Sequence, residues 1–291
     1  MILRLSHKQI DKSKWDNAIS EADTNHVYLL SWYLDIVSPN WEAYVWGDYK
    51  YIMPLPVKYK FGVPYLVQPN FCQQIGIFGV GVTKPIAKEF YKKLYWQFLY
   101  ANIQIENFCG LENRKYLNGR INYTLDLSPS YDVLKRDFNE NAHRNIKKAQ
   151  KAGVVLQNCS PSQFMDFFSK HGEGCTGKLF DELAKIIEVC HARGLANIFH
   201  VCSDDGEVLS VGCFVSWNWQ LVYLAGASSP KGKESSAMFL MFDSVIGKFA
   251  ETGWLLDFEG SMIAGVAKFF KGFGGKSGYY YSLKKYLFFY R

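Results

Sequence analysis

Two carboxylates near the C-terminus, Asp257 and Glu259, are the side chains best suited to acid–base chemistry. They lie in an apolar segment, 254–259, whose pattern is typical of a β-strand. Alternate side chains of a strand share a face, so the two carboxylates are predicted to lie on one face about 6.6–7 Å apart. A carboxylate at a strand end can accept a proton from an attacking ammonium, best when burial raises its pKa. In the alternative interpretation, Glu259 only hydrogen-bonds free amides of the next helix.

A basic, glycine-containing loop follows that helix, which is predicted over 262–270 with Ser261 as its cap. The loop covers Lys271–Lys276, and its glycines permit left-handed turns and close backbone approach. Lys271 can stabilise negative charge on a carbonyl oxygen or on a leaving group. The structural alternative is a solvated lysine that the dipole of the helix favours. Phe270 is interpreted either as an apolar wall beside this lysine or as a core residue.

A second basic cluster lies on a helix predicted over 129–152, whose start is indicated by Ser128 and Pro129. The cluster consists of Arg144, Lys147, Lys148 and Lys151. Such a cluster suits a pyrophosphate or the backbone of tRNA. Arg144 is favoured as the phosphate ligand because the guanidinium of arginine is forked. Glu140, four residues before Arg144, offers an ordinary helix-surface ion pair instead.

Helix and strand patterns occur in the same order in both halves of the chain. In the second half, helices are predicted over 177–193 and 236–251, and strands over 197–202, 208–217, 221–225 and 254–259. In the first half, a helix is predicted over 85–100, and strands over 41–46, 50–57, 63–68, 71–78 and 102–108.

The spacing of matching residues favours a duplication. Phe108 and Phe258 end corresponding strands 150 residues apart, and the turn glycines Gly47 and Gly206 are 159 residues apart. A nearly constant offset indicates a repeated α/β unit, with a chance similarity as the alternative. We therefore predict two mixed-sheet α/β domains, 1–152, which includes the helix over 129–152, and 153–291.

Three segments resemble the Fem-type (FemAB) branch of the GNAT superfamily. Asp257–Ser261 followed by Lys268–Gly274 resembles the signature D-F-x-G … F-K-x-G-F-G of that family. His143–Ala149, followed by Gly153, resembles its interdomain helix R-x-x-I-x-K-A … G, and Gln73–Phe78 is similar to a stretch of small Fem-like proteins. The resemblance implies two tandem GNAT-like acyl-CoA N-acyltransferase domains joined by a basic helix.

The same resemblance implies transfer of an acyl or aminoacyl group to an amine. The donor would be an acyl-CoA or an aminoacyl-tRNA, used as a co-substrate with no permanently bound cofactor. The acceptor would be a small-molecule amine or a cell-wall precursor. The resemblance also assigns stabilisation of charge in the transition state to the lysine after Phe270, which is Lys271. The amine would attack the donor carbonyl directly, so no nucleophilic side chain is needed.

Two loops are candidates for binding phosphate. Gln73, Gln74 and Gly76 resemble the start of the GNAT pyrophosphate loop, Q/R-x-x-G-x-G/A, although Phe78 occupies the next expected glycine. The loop 228–236 occupies the equivalent place in the second half. It contributes two lysines, Lys231 and Lys233. Each loop precedes a predicted helix, whose N-terminus attracts phosphate, but a loop of this kind often has no ligand.

Composition limits the class of protein. The chain has 291 residues, enough for two domains, and 48% hydrophobic with 21% charged residues is typical of a folded protein. The sequence has no apolar signal region and no run of about 18 apolar residues, so we expect a cytoplasmic protein without a membrane span. We also expect a monomer or a weak dimer. The seven cysteines form no CxxC pair, which argues against a zinc site and against a disulfide framework.

A second class of protein stays open from the sequence alone. The net charge of +6 favours anionic partners, although ordinary solubility accounts for it equally well. The same fold without chemistry would serve as a binding or scaffold protein for an anionic nucleotide or phosphate ligand.

Overall fold

The computed structural model describes residues 1–106, 117–260 and 262–286. The chain forms two compact units. The first unit is Met1–Ile121 together with the segment that begins at Tyr279, and the second unit is Asn122–Gly278. The division therefore differs from the domain boundary expected near residue 153, and the helical region 129–152 lies wholly inside the second unit.

Helices and strands alternate along the chain. The strands are β1 (Ile2–Leu5), β2 (Glu42–Trp46), β3 (Tyr51–Leu55), β4 (Val57–Lys60), β5 (Val63–Val67), β6 (Tyr100–Ile105), β7 (Leu117–Asp126), β8 (Val155–Asn158), β9 (Ala196–Cys202), β10 (Val208–Trp217), β11 (Gln220–Ser228), β12 (Leu255–Asp257) and β13 (Lys276–Tyr286). The helices are α1 (Lys12–Glu21), α2 (Ser31–Val37), α3 (Lys84–Gln97), α4 (Tyr131–Arg136), α5 (Glu140–Lys151), α6 (Pro161–His171), α7 (Lys178–Ala192), α8 (Pro230–Glu234), α9 (Ala237–Phe249) and α10 (Ala264–Gly272). None of the described helices has both the length and the apolar content that crossing a bilayer requires.

The first unit contains two sheets. Strands β1, β2 and β3 form an antiparallel sheet in that order. Strands β4 and β5 form a hairpin, β5 runs parallel to β6, and β6 pairs antiparallel with the C-terminal strand β13. Proline has no N–H to donate, and Pro56 separates β3 from β4 where a single strand over 50–57 is predicted. Large buried side chains fill this unit, among them Trp15, Trp41, Tyr44, Phe78, Phe90 and Phe98.

The second unit has a mixed sheet with the strand order β7-β12-β11-β10-β9-β8. Only the β11–β12 pair is parallel among the described pairings of this unit. The helix α9 packs against this sheet through a cluster of aromatic rings. Phe242 is central to that cluster, with ring centroids 5.7 Å from Phe258 and 6.2 Å from Phe270.

The two units share one order of connections. A hairpin leads to a helix, and the next strand runs parallel to the second hairpin strand and antiparallel to one further strand. The first unit uses β4, β5, α3, β6 and β13, and the second uses β10, β11, α9, β12 and β7. This is the mixed α/β class that the sequence predicts. The duplication itself stays a prediction, and its marker Phe108 lies outside the described residues.

The helix predicted over 129–152 is two helices, α4 and α5, with a break between them. Asn139 lies at the break in an extended conformation, and its side-chain oxygen accepts a hydrogen bond from the Ala142 N–H. Its own N–H donates to the Gly272 carbonyl over 2.9 Å. Because Asn139 caps α5 and is held by a distant part of the chain, the helical hydrogen bonding is interrupted there.

The helix α5 belongs to the second unit because of its apolar face. Ala142, Ile146 and Ala149 are buried on that face, and the helix packs against α9. The opposite face carries the basic cluster and is exposed to solvent. A helix buried on one side against α9 is part of the core of its unit rather than a free connection.

One lysine is predicted to contribute to the stability of the first unit. Lys285 in β13 is buried, and its ammonium donates hydrogen bonds to the Tyr95 and Phe98 carbonyls at the end of α3. Replacing Lys285 with methionine leaves these carbonyls unpaired and should lower the free energy of unfolding by about 2 kcal/mol in urea titrations. The matched change Lys284→Met affects a more exposed neighbour and should stay within about 0.5 kcal/mol of the wild type. Equal losses in both variants would contradict this role.

Candidate active site

The end of β12 creates the main functional feature of the second unit. Asp257 pairs with Val222 of β11 and is the last residue of β12, whereas β11 continues as far as Ser228. From Tyr223 onwards, β11 therefore has no β12 residue beside it, and its backbone groups on that side are free of strand pairing to β12. Backbone N–H and C=O groups at such an edge are ready to hydrogen-bond a ligand.

The prediction of a strand over 254–259 is wrong at the C-terminal end, because β12 ends at Asp257. Glu259 has a positive φ of 62°, and its backbone N–H donates to Asp257 Oδ1 over 2.8 Å. This bond turns the chain back on the Asp257 side chain, so strand alternation stops at Asp257 and the two carboxylates do not share a strand face as expected.

Burial governs the protonation of this carboxylate pair. Asp257 is buried, and burial raises its pKa despite the hydrogen bonds it accepts from the Glu259 N–H and from Asn122 Nδ2. Burial also raises the pKa of Glu259 well above its ordinary value, and the nearby charge of Asp257 raises it further. The pair therefore retains a proton at a higher pH than isolated carboxyl groups do, as a general base working near neutral pH requires.

A cavity of about 390 Å³ lies in the same unit. Its lining residues are Asn145, Tyr223, Ser228, Gly232, Lys233, Ser236, Met238, Phe239, Gly265, Val266, Phe269 and Phe270. These residues come from the part of β11 beyond its pairing with β12, from α8, from the start of α9, from α10 and from one position of α5. Largely apolar walls with a few polar groups are typical of a site for a small molecule or for part of a larger one.

The polar groups of the cavity are fixed by contacts within the unit. The hydroxyl of Ser236 donates to Asn145 Oδ1 over 2.8 Å, and Asn145 Nδ2 donates to the Asn141 carbonyl over 2.8 Å. Ser236 precedes the first turn of α9 and has a left-handed backbone. The N-terminus of a helix carries a partial positive charge, so this end of the cavity favours a carbonyl or an anionic group.

Aromatic rings connect the cavity with the carboxylate pair. Neither Asp257 nor Glu259 is among the residues that line the cavity. Phe258, which lies between them in the chain, is buried, and its ring centroid is 5.0 Å from that of Phe270 in the cavity wall. One ring contact, Phe258 with Phe270, therefore joins the cavity wall to the segment that carries both carboxylates.

The structure places Phe270 and Lys271 differently. Phe270 is buried and forms part of the cavity wall. Lys271 lies in the last turn of α10 rather than in the following loop, because the helix runs to Gly272. The side chain of Lys271 is exposed and does not line the cavity. Ser261, the expected cap of this helix, lies outside the described residues.

The predicted phosphate ligands of the second unit lie at its surface. Arg144, Lys147 and Lys148 are exposed on α5, and Arg144 donates to Asn141 Oδ1 over 2.8 Å. Lys233 lines the cavity and pairs with Glu173 over 2.9 Å, whereas Lys231 pairs with Glu207 away from the cavity lining. Only Lys233 of these cations is therefore brought to the cavity.

Gln73, Gln74 and Gly76 lie in the first unit, in a segment that the sequence predicts as a strand over 71–78. That segment forms only isolated bridges, including Ile75 with Ile105 of β6. Both glutamine side chains are buried, and Gln74 Nε2 donates to Gln73 Oε1. The helix α3 begins only at Lys84, so this segment is not the turn directly before a helix that the phosphate-loop interpretation requires.

A smaller cavity, of about 150 Å³, lies in the first unit. Glu106 lines it, accepts a hydrogen bond from Thr24 Oγ1 over 2.9 Å, and has its pKa raised to about 7 by burial. This volume is below the range of about 300–1,000 Å³ that is usual for ligand sites, so the cavity of the second unit is a better candidate for a substrate than this one.

Sequence reasoning missed the polar pair of the larger cavity, Asn145 and Ser236. These residues are 91 positions apart. Ser236 belongs to the loop 228–236, in which the lysines are the candidate ligands that the sequence indicates. Asn145 follows Arg144 within the family-like helix segment, so position in a motif was the only available signal. Tyr223 was also missed because a tyrosine in an apolar strand has the pattern of a core residue.

The mixed α/β architecture of the chain is shared by several solved structures. FemX matches with a TM-score of 0.69, 13% identity and coverage of 97% of each chain. L-PGS from Bacillus licheniformis matches with a TM-score of 0.56 and 12% identity, over 95% of this chain and 91% of that one. An acetyltransferase of the GNAT family from Colwellia psychrerythraea matches with a TM-score of 0.53 and 9% identity, over 98% of this chain and 99% of that one.

These likenesses confirm the predicted fold: the chain has a Fem-like fold of the GNAT type. No family model matches the chain, and no curated protein matches it in sequence. At identities of 9–13%, the solved structures establish the fold alone.

The carboxylate pair predicts a pH dependence of stability. The folded-state pKa values of Asp257 and Glu259 are raised, so the folded state binds more protons than the unfolded state above the ordinary carboxyl pKa values. Stability from this pair is fully present at low pH and is lost as pH rises through the raised values. Urea titrations should show the wild type losing stability relative to an Asp257→Asn/Glu259→Gln variant as pH rises from about 4 through about 6, the raised pKa of Asp257. A difference that stays constant over this range would contradict the raised pKa values.

Proposed function

We propose that the chain is an N-acyltransferase that transfers an acyl or aminoacyl group to an amine. One observation supports this most strongly. The cavity lies against the part of β11 that extends beyond β12, and β12 ends in the buried Asp257, two residues before the half-buried Glu259. Donor binding and proton acceptance are therefore served by neighbouring elements of one sheet.

The cavity is the proposed site of the donor. Backbone groups of β11 beyond Val222 are available to hydrogen-bond the amides of an extended arm such as that of an acyl-CoA. The aromatic walls formed by Phe239, Phe269 and Phe270 suit the apolar part of the donor. Ser236 and the first turn of α9 favour its carbonyl oxygen, on which negative charge develops during transfer. An aminoacyl-tRNA is the other donor that the sequence resemblance implies.

The proposed reaction is direct attack of the amine on the donor carbonyl. A C–N bond forms, and the C–S bond of a thioester or the C–O bond of an aminoacyl ester breaks. The attacking nitrogen loses a proton, which Glu259 accepts, and the leaving thiolate or alkoxide departs with a proton or with its charge stabilised. For Lys271, the proposal keeps the role implied by the resemblance, stabilisation of the leaving group by an exposed ammonium at the end of α10.

The acceptor is proposed to be an amine on a small molecule or on a cell-wall precursor. For a phosphate-bearing donor, the exposed face of α5 supplies Arg144, Lys147 and Lys148, and Lys233 supplies a cation at the cavity. An aminoacyl-tRNA would use this face through its phosphate backbone, with binding that weakens as salt is raised.

The proposal is tested by a donor screen followed by turnover. Thermal shifts are measured with acyl-CoAs, aminoacyl-tRNAs and nucleotide-activated sugars, and each stabilising donor is then mixed with a panel of amines. Donor consumption that depends on the amine, with the acylated amine as the product, supports the enzyme. Stabilisation by an acceptor or a nucleotide with no donor consumption supports the binding or scaffold protein instead.

A further inference from the structure

The hairpin of β4 and β5 in the first unit carries an unusual tip. Its two turn residues are Phe61 and Gly62, with φ values of +50° and +77°. Positive φ at both positions is typical of a type I′ turn, which strongly prefers Asn-Gly, Asp-Gly or Gly-Gly. A phenylalanine in this backbone region carries a steric cost that an asparagine or a glycine would avoid.

The Phe61 ring gains little from the rest of the protein in return. It is 96% exposed, and the cation near it is the neighbouring Lys60, whose ammonium is 5.9 Å from the ring centroid. A Cβ placed on Gly62 would meet no atom within 4 Å, so the tip projects into solvent. Tyr59 and Val63, at 59% and 46% exposure, extend the apolar surface on both sides of the tip.

The hairpin is also positively charged. Lys58 and Lys60 are exposed, and the sequence contains no Asp or Glu between Asp48 and Glu89. Glu42 accepts a hydrogen bond from the Tyr59 hydroxyl of the hairpin. The Glu42 charge is already matched by Arg4 at 2.6 Å. The two lysines therefore place positive charge beside an apolar tip, and neither forms an ion pair with a carboxylate of the described residues 1–106, 117–260 and 262–286.

We propose that this tip, residues 58–63, docks on the surface of an anionic lipid bilayer. Phe61 would enter the boundary between headgroups and acyl chains, and Lys58 and Lys60 would lie among anionic headgroups. Aromatic rings flanked by basic residues are favoured at that boundary. The inference rests on the hairpin alone and does not depend on the proposed acyl transfer.

A bilayer fits this tip better than a single-stranded nucleic acid. Proteins that stack bases hold their aromatic rings along a basic groove that follows the backbone of the strand. The Phe61 ring instead stands at the end of a two-residue turn and is 96% exposed, and no described atom lies within 4 Å of a Cβ built on Gly62. An exposed apolar side chain at a turn tip matches a deformable surface that closes around it.

The test is co-sedimentation of the full chain with vesicles. Vesicles of phosphatidylcholine with about one third phosphatidylglycerol should bind the wild type, and binding should fall as salt is raised. Phe61→Asn places the favoured Asn-Gly pair in the turn, so it should raise Tm by about 2 °C while weakening vesicle partitioning about tenfold. Phe61→Trp should keep the partitioning, and removal of both lysines by alanine should weaken it by about tenfold or more.

A matched control uses the hairpin turn of β10 and β11 in the second unit. Trp219 also has a positive φ and is 64% exposed. Its ring centroid lies 5.8 Å from that of Trp254, and its neighbours in the chain are Asn218 and Gln220 rather than lysines. Trp219→Gly should leave vesicle partitioning unchanged. The proposal is overturned if Phe61→Asn partitions like the wild type or if Trp219→Gly weakens partitioning equally. Wild-type protein that binds single-stranded RNA but not anionic vesicles also overturns it.

Discussion

Glu259→Gln is expected to lower kcat/KM for acyl transfer by about 10²–10³-fold without unfolding the protein. Glutamine keeps the size of the side chain but cannot take the proton that the attacking amine releases. The raised pKa of Glu259 also predicts the direction in which kcat/KM changes with pH. Because the base acts only when deprotonated, wild-type kcat/KM should rise with pH through the raised pKa, and this rise should be absent from the residual activity of the variant.

Two further variants make this expectation specific. Glu251 is an exposed carboxylate of the second unit that also has a positive φ, so Glu251→Gln is a matched control that should retain wild-type rates. Asp257→Asn removes the neighbouring charge that helps to raise the pKa of Glu259, so it should shift the rise in kcat/KM to lower pH. Steady-state rates from pH 5 to about 9 check both results. Equal activity of Glu259→Gln and the wild type would exclude Glu259 as the base.

Elements with a clear local hydrophobic pattern could be predicted from the sequence. The strand over 208–217 was predicted with the bounds that it has in the structure, and the helix predicted over 177–193 is α7, Lys178–Ala192. Both patterns depend on side chains a few residues apart, which the sequence displays directly. The GNAT-type fold followed from the order of such elements together with the family-like motifs.

Features set by distant parts of the chain could not be predicted. The helix over 129–152 breaks at Asn139 because the Asn139 N–H bonds to Gly272, which lies far along the chain. The C-terminal strand β13 pairs with β6 of the first unit, so a boundary near residue 153 could not describe the compact units. Sequence periodicity contains no information about which distant strand completes a sheet.

The candidate site was predictable to a similar extent. Asp257, Glu259 and Phe270 were selected by residue type and motif, and the structure places them in one region of the second unit. The backbone of Glu259 was not predictable, since strand alternation cannot foresee a left-handed residue held by the Asp257 side chain. The cationic candidates were the least predictable part of the site, because a surface lysine has the same sequence pattern whether or not it binds a ligand.

Gly265→Phe is expected to raise the KM or Kd for the donor on the order of tenfold while changing kcat much less. Gly265 lies in the first turn of α10 and lines the cavity, and a Cβ added there would meet no atom within 4 Å. The first side-chain carbon at this exposed position therefore meets no neighbour, and we expect a phenylalanine ring beyond it to take up volume that the donor needs. Titration of the donor by calorimetry, together with steady-state kinetics, measures both effects.

Gly265→Ala is the control that distinguishes loss of donor affinity through a filled cavity from loss through a changed α10 backbone. Both substitutions replace glycine with a residue of higher helix propensity, so neither should lower the free energy of unfolding. Alanine adds only a methyl group, so donor affinity should stay within about twofold of the wild type. If Gly265→Phe binds the donor as tightly as Gly265→Ala does, the donor does not occupy this cavity. If both variants lose affinity equally, the start of α10 contributes through its backbone rather than through open volume.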